Sequence, residues 1–201
     1  QTVTAGNYHT AATTTDGKLY AWGYNGQGRL GDGTITTRSS PVQIGALTTW
    51  LKVSSGYAHC VAIKTDGTLW AWGLNNTGQV GQGNTTNYSS PVQVGALTTW
   101  SQPASGRQFT LATKTDGTLW SWGKNNNGAL GLGDTANRSS PVQVGALTTW
   151  SQPSGGRLFT LATKTDGTLY AWGYNAYGEL GQGNTTNYSS PVQVGALTTW
   201  S

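Results

Sequence analysis

The feature that most constrains this chain is a repeat with a period of 50 residues. The tripeptide Thr-Asp-Gly begins at Thr15, Thr65, Thr115 and Thr165, and the period never slips. Such a period is typical of solenoids and propellers, in which a short unit packs only on its neighbours. We therefore divide the chain into four repeats, residues 1–50, 51–100, 101–150 and 151–200, with Ser201 beginning a fifth copy.

Each repeat contains four short segments that are typical of β-strands, and none shows helical periodicity. In the second repeat we predict strands at residues 53–56, 60–64, 68–73 and 91–94. Asp66-Gly67 joins the second and third of these and predicts a type I′ hairpin turn, whose two central residues have positive φ. The predicted fold class is all-β: a β-propeller whose blades each hold four antiparallel strands in about 50 residues.

The longest repeated string is Asp-Gly-Thr-Leu-Trp-Ala-Trp-Gly-x-Asn-x-x-Gly-x-x-Gly, starting at Asp66. It follows Ser-Gly-x-x-His at Ser55 and precedes Ser-Pro-Val-Gln at Ser90. Together these residues closely resemble the repeat of the RCC1 (regulator of chromosome condensation) family, and the resemblance covers the whole chain. It implies a seven-bladed propeller, whereas this sequence holds four repeats. Three arrangements stay open: part of a larger ring, a closed four-bladed ring, and an oligomeric ring of two chains.

The composition argues against several classes of function. Only 9% of residues are charged, and the net charge of +4 comes from scattered single residues rather than from a Lys or Arg run. We therefore expect no nucleic-acid partner. Cys60 is the only cysteine, which excludes an internal disulfide and a thiolate metal cluster. No apolar stretch reaches the roughly 18 residues of a membrane span, so we expect no membrane insertion.

The glycine-rich stretch after each Trp-Gly pair could be mistaken for a phosphate-binding loop. Gly73 and Gly78 have the spacing of the first half of a P-loop, but Gln79 and Val80 stand where a Lys and a hydroxyl residue are required. The better interpretation is structural, with glycines serving positive-φ positions of a tight loop.

The remaining reactive side chains also favour structural roles. His9 and His59 align with phenylalanines of the later repeats, and Cys60 aligns with threonines. No paired carboxylates, nucleophile–base set or ligand cluster can be assembled from the other residues. The sequence therefore predicts a protein that is not an enzyme and that needs no cofactor and no metal.

Two sets of tryptophans recur in every repeat and are the natural contacts between blades. We assign them to structure, over the alternative of sugar stacking, and with them Asp66 and Gly67 of the hairpin. The tryptophans are Trp22, Trp72, Trp122 and Trp172, and Trp50, Trp100, Trp150 and Trp200.

The four copies differ mainly in two places: just before the second strand and just after the third. Antiparallel pairing puts both places at one end of the blade, opposite the hairpin. Drift in unconstrained loops would also produce such variation, but it would not by itself supply aromatic and basic residues. The candidate ligand-binding residues on this face are Tyr24, Arg29, Tyr57, Arg107, Lys124, Arg157, Tyr174, Tyr177 and Glu179.

The leading functional prediction is a non-catalytic recognition module that binds a protein or glycan through this face. We expect it outside a cell or on the surface of a cell or virus particle, since the chain is poor in charge and rich in Thr and Asn. Two alternatives remain. The family resemblance implies nucleotide exchange on a small GTPase or chromatin binding, and the regular repeat allows a spacer or fibre segment that associates with copies of itself.

Overall fold

The computed structural model describes residues 1–200 as four antiparallel β-sheets of four strands each, and the strands lie in chain order within each sheet. We call the sheets blades 1 to 4. Blade 1 holds β1 (Thr2–Ala5), β2 (His9–Thr13), β3 (Leu19–Gly23) and β4 (Arg38–Gln43). Blade 2 holds β5 (Trp50–Ser55), β6 (His59–Lys64), β7 (Leu69–Gly73) and β8 (Tyr88–Gln93). Blade 3 holds β9 (Trp100–Ser105), β10 (Phe109–Lys114), β11 (Leu119–Gly123) and β12 (Arg138–Gln143). Blade 4 holds β13 (Trp150–Gly155), β14 (Phe159–Lys164), β15 (Leu169–Gly173) and β16 (Tyr188–Gln193). Residues 1–200 include no helix with the length and apolar character needed to cross a membrane.

The four-stranded blades confirm the predicted all-β fold, and the inner two strands of each fall within a residue of their predicted limits. The outer strands begin about three residues earlier than expected. The reason is that β5 and β8 pair along the full length of their neighbours: Trp50 lies opposite Lys64, and Tyr88 lies opposite Gly73.

The hairpin between the second and third strands differs from the predicted type I′ turn. Gly67 has a φ of 77°, but no residue other than glycine has a positive φ, so Asp66 lacks the conformation that a type I′ turn requires. The loop has three residues, because the Lys64 and Thr68 backbones pair across it and Gly67 N–H donates to the Lys64 carbonyl. A carboxylate oxygen of Asp66 accepts from Thr68 N–H at 3.0 Å and from the Thr68 hydroxyl at 2.6 Å. This is a three-residue hairpin in which glycine alone takes the left-handed position.

The blades pack side by side through their first strands. In sequence along the array, β1 contacts β5, β5 contacts β9, and β9 contacts β13. The buried cores lie between blades rather than within one of them. One cluster, for example, joins Leu19 and Leu30 of blade 1 to Trp50, Val53 and Trp72 of blade 2.

A backbone carbonyl lies at the centre of each contact between neighbouring blades, which we call a joint. In the joint between blades 2 and 3, the Gln79 carbonyl accepts from the indole N–H of Trp122 at 3.0 Å and from the Thr110 hydroxyl at 2.7 Å. The other two joints repeat the pattern. The Arg29 carbonyl accepts from Trp72 and Cys60, and the Ala129 carbonyl accepts from Trp172 and Thr160.

The glycine-rich loop supplies the flat surface that each joint needs. Gly78 and Gly81 have φ values of 85° and 83°. A Cβ on Gly78 would lie 2.4 Å from the Cα of Ser139, and one on Gly81 would lie 2.7 Å from the indole nitrogen of Trp122, both in the next blade. The loop is therefore scaffold, because side chains there would push the blades apart.

Replacing Trp122 with Ala should lower the free energy of unfolding by about 3 to 5 kcal/mol, because it removes a fully buried indole from a joint. The matched control is Trp22→Ala, at the same position of blade 1. Trp22 is only partly buried and has no carbonyl partner among residues 1–200, so its loss should cost clearly less. Urea unfolding of both variants makes the comparison, and equal losses would contradict this account of the joint.

Candidate binding face

The two variable segments of each repeat are joined by backbone hydrogen bonds. Tyr24 N–H donates to the Tyr8 carbonyl at 2.8 Å, and the same bond recurs in the other blades at 2.8 to 3.0 Å, from Leu74, Lys124 and Tyr174. Both segments thus lie at the end of the blade opposite the Asp-Gly hairpin. We call this end the variable face; it comprises residues 7–8 and 24–29 of blade 1 and the equivalent residues of the other blades.

The first strands of the blades end around an axial groove of about 450 Å³. Its wall consists of the four equivalent segments 5–7, 55–57, 105–107 and 155–157. Neighbouring segments are linked around the groove, since Tyr57 N–H donates to the Arg107 carbonyl at 3.0 Å and Arg107 N–H donates to the Gly156 carbonyl at 3.2 Å. Small residues at 55–56 and their equivalents leave the groove open, so the longer side chains that follow them define its chemistry.

Three of those four longer side chains, Tyr57, Arg107 and Arg157, are aromatic or basic, and the fourth is Asn7. The Arg107 guanidinium lies 4.9 Å from the centre of the Tyr57 ring, which holds it at the groove in a cation–π contact. Arg157 is exposed and lines both the axial groove and a smaller cleft that it shares with Lys124. Lys124 donates to the side-chain oxygen of Gln108 at 3.2 Å. None of these three cations has an acidic partner among the ion pairs of residues 1–200.

Tyrosines occupy the outer part of the variable face. Tyr24 is 45% exposed and meets the ring of Tyr8 edge to face, with centroids 6.5 Å apart. In blade 4, Tyr177 is 86% exposed and packs in the same way against Tyr174 at 6.3 Å. The candidate list omitted Tyr8, which is 64% exposed. The residue at this position differs between the four repeats, and that variation is the sequence feature that identifies Tyr8.

Arg29 does not belong to the exposed face that we predicted for it. The residue is 2% exposed, its side chain lies in the joint between blades 1 and 2, and a guanidinium nitrogen is 3.5 Å from the Tyr57 carbonyl. Burial lowers the pKa of this guanidinium. Gln79 and Ala129 occupy the same position of their repeats and are also buried, so this position faces the next blade rather than solvent. Glu179 is partly exposed because, among residues 1–200, no blade packs on blade 4 from that side.

Most acidic side chains lie away from the variable face. The hairpin end carries an aspartate in every blade: Asp16, Asp66, Asp116 and Asp166. Asp32 and Asp134 pair with arginines of the outer strands at 2.8 and 2.5 Å. Glu179 is therefore the one acidic residue on the variable face, where it accepts from Tyr177 N–H at 2.9 Å. The free charge around the axial groove is positive, and a partner with carboxylates or other acceptors would complement it.

The two histidines and the cysteine are buried parts of the joints. His9 Nε2 lies 3.2 Å from the Cys60 sulfur, and His59 Nε2 lies 3.1 Å from the Thr110 hydroxyl. Burial lowers the pKa of His9 to about 4 and that of His59 to about 3, and it raises the pKa of Cys60 to about 12. All three groups are neutral at pH 7, which suits packing rather than proton transfer or nucleophilic attack. Residues 1–200 bring together no three His, Cys, Asp or Glu side chains in a metal-binding arrangement.

The histidines should make the fold sensitive to acid well above the range in which carboxylates titrate. Because their folded pKa values lie below 6.5, the unfolded chain takes up protons first as the pH falls. The free energy of unfolding should then decrease from about pH 6.5 toward pH 4, by up to about 1.4 kcal/mol per pH unit for each histidine.

The variant His9→Phe/His59→Phe should remove this dependence, since phenylalanine already fills the position in Phe109 and Phe159. Urea unfolding between pH 7 and pH 5 should give a sloping stability profile for the parent and a nearly flat one for the variant. The same slope in both proteins would show that other groups cause the acid sensitivity.

Four-stranded blades packed side by side around an axial groove define a β-propeller fold. A sequence profile described as the RCC1-like domain matches residues 1–201, and the chain belongs to that family. Solved structures agree on the fold. Prp20p from Saccharomyces cerevisiae is 21% identical and superposes with a TM-score of 0.86 over 98% of this chain and 51% of its own. Human WBSCR16 is 22% identical, with a TM-score of 0.82 over 95% of this chain and 50% of its own.

Sequence relatives match over a shorter region. The ultraviolet-B receptor UVR8 of Arabidopsis thaliana is 48% identical over 42 residues, which are 21% of this chain and 10% of the relative. The mitochondrial protein RUG3 of the same plant is 38% identical over 45 residues, 22% of this chain and 10% of its own. The chain thus spans about half the length of the solved propellers, and its match to these relatives covers about a tenth of theirs.

Proposed function

We propose that this chain is a non-catalytic recognition module that binds an acidic segment of a partner protein at the axial groove. The observation that carries the proposal is the pair Arg107 and Arg157, which lie at the groove without an acidic partner. Arg107 is held against the Tyr57 ring, and Arg157 lies on the same concave surface; arginine and tyrosine are enriched in interaction hot spots. The yeast propeller Prp20 supports a protein ligand, because Prp20 has binding properties toward Gsp1p and histones and is also bound by Kap60.

The geometry favours an extended segment over a broad flat surface. The groove is lined mainly by small residues, and the longer side chains on its wall include Tyr57, Arg107 and Arg157. A chain segment can enter the groove and place its carboxylates against Arg107 and Arg157. Bidentate contact between guanidinium and carboxylate would supply both affinity and orientation.

Replacing Arg107 and Arg157 with Ala should weaken the binding of a fluorescein-labelled deca-glutamate peptide at least about tenfold, or roughly 1.4 kcal/mol. Fluorescence anisotropy gives the dissociation constants. Thermal unfolding should change little, since Arg157 is exposed and the half-buried Arg107 loses mainly its cation–π contact with Tyr57, worth about 0.5 to 1 kcal/mol. The wild-type affinity should also fall as salt is raised.

The matched control is Arg38→Ala/Arg138→Ala, which removes the same charge from the outer strands β4 and β12. This variant should bind the peptide almost as well as the parent. Equal loss in both variants would mean that net charge, rather than the groove, determines binding, and unchanged binding in the groove variant would place the site elsewhere.

A second candidate is regulation of a small GTPase, by nucleotide exchange, or binding to chromatin. The observation that favours it is the superposition of nearly the whole chain on Prp20p, which has binding properties toward Gsp1p and histones. Release of a fluorescent nucleotide from a small GTPase on addition of this chain would support exchange over simple recognition. A rate equal to the spontaneous one would argue against it.

We also propose that the module works outside a cell or on the surface of a cell or virus particle. Its low content of charge and its loops rich in Thr, Asn and Gly support this setting. In that setting the exposed tyrosines Tyr24 and Tyr177 could meet a glycan, and binding to a glycan array that survives Arg107→Ala/Arg157→Ala would favour a glycan over an acidic peptide.

A further inference from the structure

Each joint between two blades carries a cleft that reaches the outermost strand of the following blade and lies apart from the axial groove. The three clefts have volumes of about 430, 440 and 460 Å³, a size typical of small-molecule sites in proteins. Among residues 1–200, none lines both one of these clefts and the axial groove. We call them lateral clefts 1, 2 and 3, after the blade that precedes each joint.

The same six positions of the repeat line all three lateral clefts. The Leu precedes the following blade, and the Trp, the Lys, a second aromatic residue, the Ser and the Pro belong to its strands. In cleft 1 they are Leu47, Trp50, Lys64, Trp70, Ser90 and Pro91. Clefts 2 and 3 have the equivalents 50 and 100 residues further on, with Tyr170 as the second aromatic residue of cleft 3. The chain therefore holds three copies of one candidate site.

The lysine of each lateral cleft is held against two aromatic rings. The Lys64 ammonium lies 3.5 Å from the centre of the Trp70 ring and 4.9 Å from that of the Trp50 ring. The corresponding distances are 3.7 and 5.0 Å for Lys114 and 3.9 and 5.2 Å for Lys164. These cation–π contacts fix the position of the ammonium without neutralising its charge.

None of these three ammonium groups has an acidic partner among the ion pairs of residues 1–200. Asp66 lies in the hairpin beside Lys64, but its carboxylate bonds the amide and the hydroxyl of Thr68. Burial lowers the pKa of Lys64 and that of Lys114, because water solvates these cations incompletely. A cation in such a position interacts more strongly with an anion than it would in bulk water. The lysines that do contact an oxygen are Lys18, Lys52 and Lys124.

The rest of each lateral cleft is mainly apolar. Leu47 of cleft 1 is 49% exposed, and Leu97 and Leu147 are exposed to nearly the same extent in the other two. The ring of Trp70 is partly buried. Apart from the aromatic residues, the Lys and the Ser are the only polar residues common to the three clefts. A sugar, which needs several hydrogen-bonding partners, therefore fits less well than an apolar body with a single anionic group.

We propose that each lateral cleft binds a small apolar carboxylate. The carboxylate accepts from the ammonium of Lys64, Lys114 or Lys164, and the apolar body packs on the exposed Leu and the aromatic residue of the same cleft. The ammonium keeps its contact with the aromatic ring, because its donors can point to the ligand while one side of it faces the ring. This site is independent of the axial groove and of the function proposed for that groove.

The test is a titration of the isotope-labelled 201-residue chain with phenylbutyrate, followed by the indole N–H signals in proton–nitrogen NMR spectra. A ligand of about a dozen non-hydrogen atoms should bind in the millimolar range. Trp22, which lines none of the lateral clefts, should give an unchanged signal. Phenylbutyramide, which has the same shape without the charge, should bind at least about fivefold more weakly. The signals that should shift with phenylbutyrate are those of Trp50, Trp70, Trp100, Trp120 and Trp150.

The variant Lys114→Met removes the ammonium of cleft 2 and keeps an apolar side chain in its place. Phenylbutyrate should then bind cleft 2 at least about fivefold more weakly, as measured by the signals of Trp100 and Trp120. The signals of Trp50 and Trp70 in cleft 1 should respond as in the parent, which shows in the same sample that the chain is folded. Lys114→Arg should restore binding at cleft 2, since it restores the cation.

The matched control is Lys18→Met, which removes the same charge from a residue outside the lateral clefts and should leave all of these shifts unchanged. A parent whose signals do not move, equal binding of the amide, or full binding at cleft 2 in Lys114→Met would each overturn the proposal. Loss of the shifts in Arg107→Ala/Arg157→Ala would also overturn it, because the carboxylate would then bind at the axial groove. Failure of the parent to bind the deca-glutamate peptide would count against the proposed function alone.

Discussion

The hydrogen bonds to the backbone carbonyl of residues 29, 79 and 129 are the contacts on which the rest of the structure depends. Each carbonyl is buried between blades and accepts from an indole and from a hydroxyl or thiol of the next blade. A buried acceptor without partners would be costly, so each blade requires the next one in a fixed position. Because the acceptor belongs to the backbone, the side chain at that position is free to be Arg, Gln, Ala or Glu.

This arrangement explains which features the sequence could predict. The period, the strands and the recurrent tryptophans follow from patterns that repeat in every copy, and the structure agrees with them to within about three residues at strand ends. The predicted turn type was wrong because the pairing of the two strands leaves three residues in the loop rather than two. Blade 1 has Lys18 where the other blades have a threonine, yet its loop has the same form with Gly17 alone at positive φ, so the length of the loop decides the turn. That length is set by the register of the strands, which only the structure shows.

The candidate binding face was also predicted only in part. Pairing of the second and third strands was sufficient to place both variable segments at one end of the blade. It could not say which loop residues turn toward solvent and which toward the next blade. Arg29 has the residue type of a binding surface, yet it packs in a joint, whereas Arg107 and Arg157 stand at the axial groove. Comparing the same position in all four repeats separates the two kinds of arginine. The position of Arg29 is occupied by Ala129 in another repeat, which suits a buried position. Position 107, by contrast, follows the small residues that line the groove.

The axial groove and the joints between blades are physically connected. Around the groove, the amides of Asn7, Tyr57 and Arg107 donate in turn to a carbonyl of the next blade. The packing of the blades therefore fixes the backbone that carries Arg107 at the groove. If a ligand that contacts neighbouring blades binds the packed array more tightly than a loosened one, then the ligand must strengthen the joints by the same factor, because linkage between two equilibria is reciprocal.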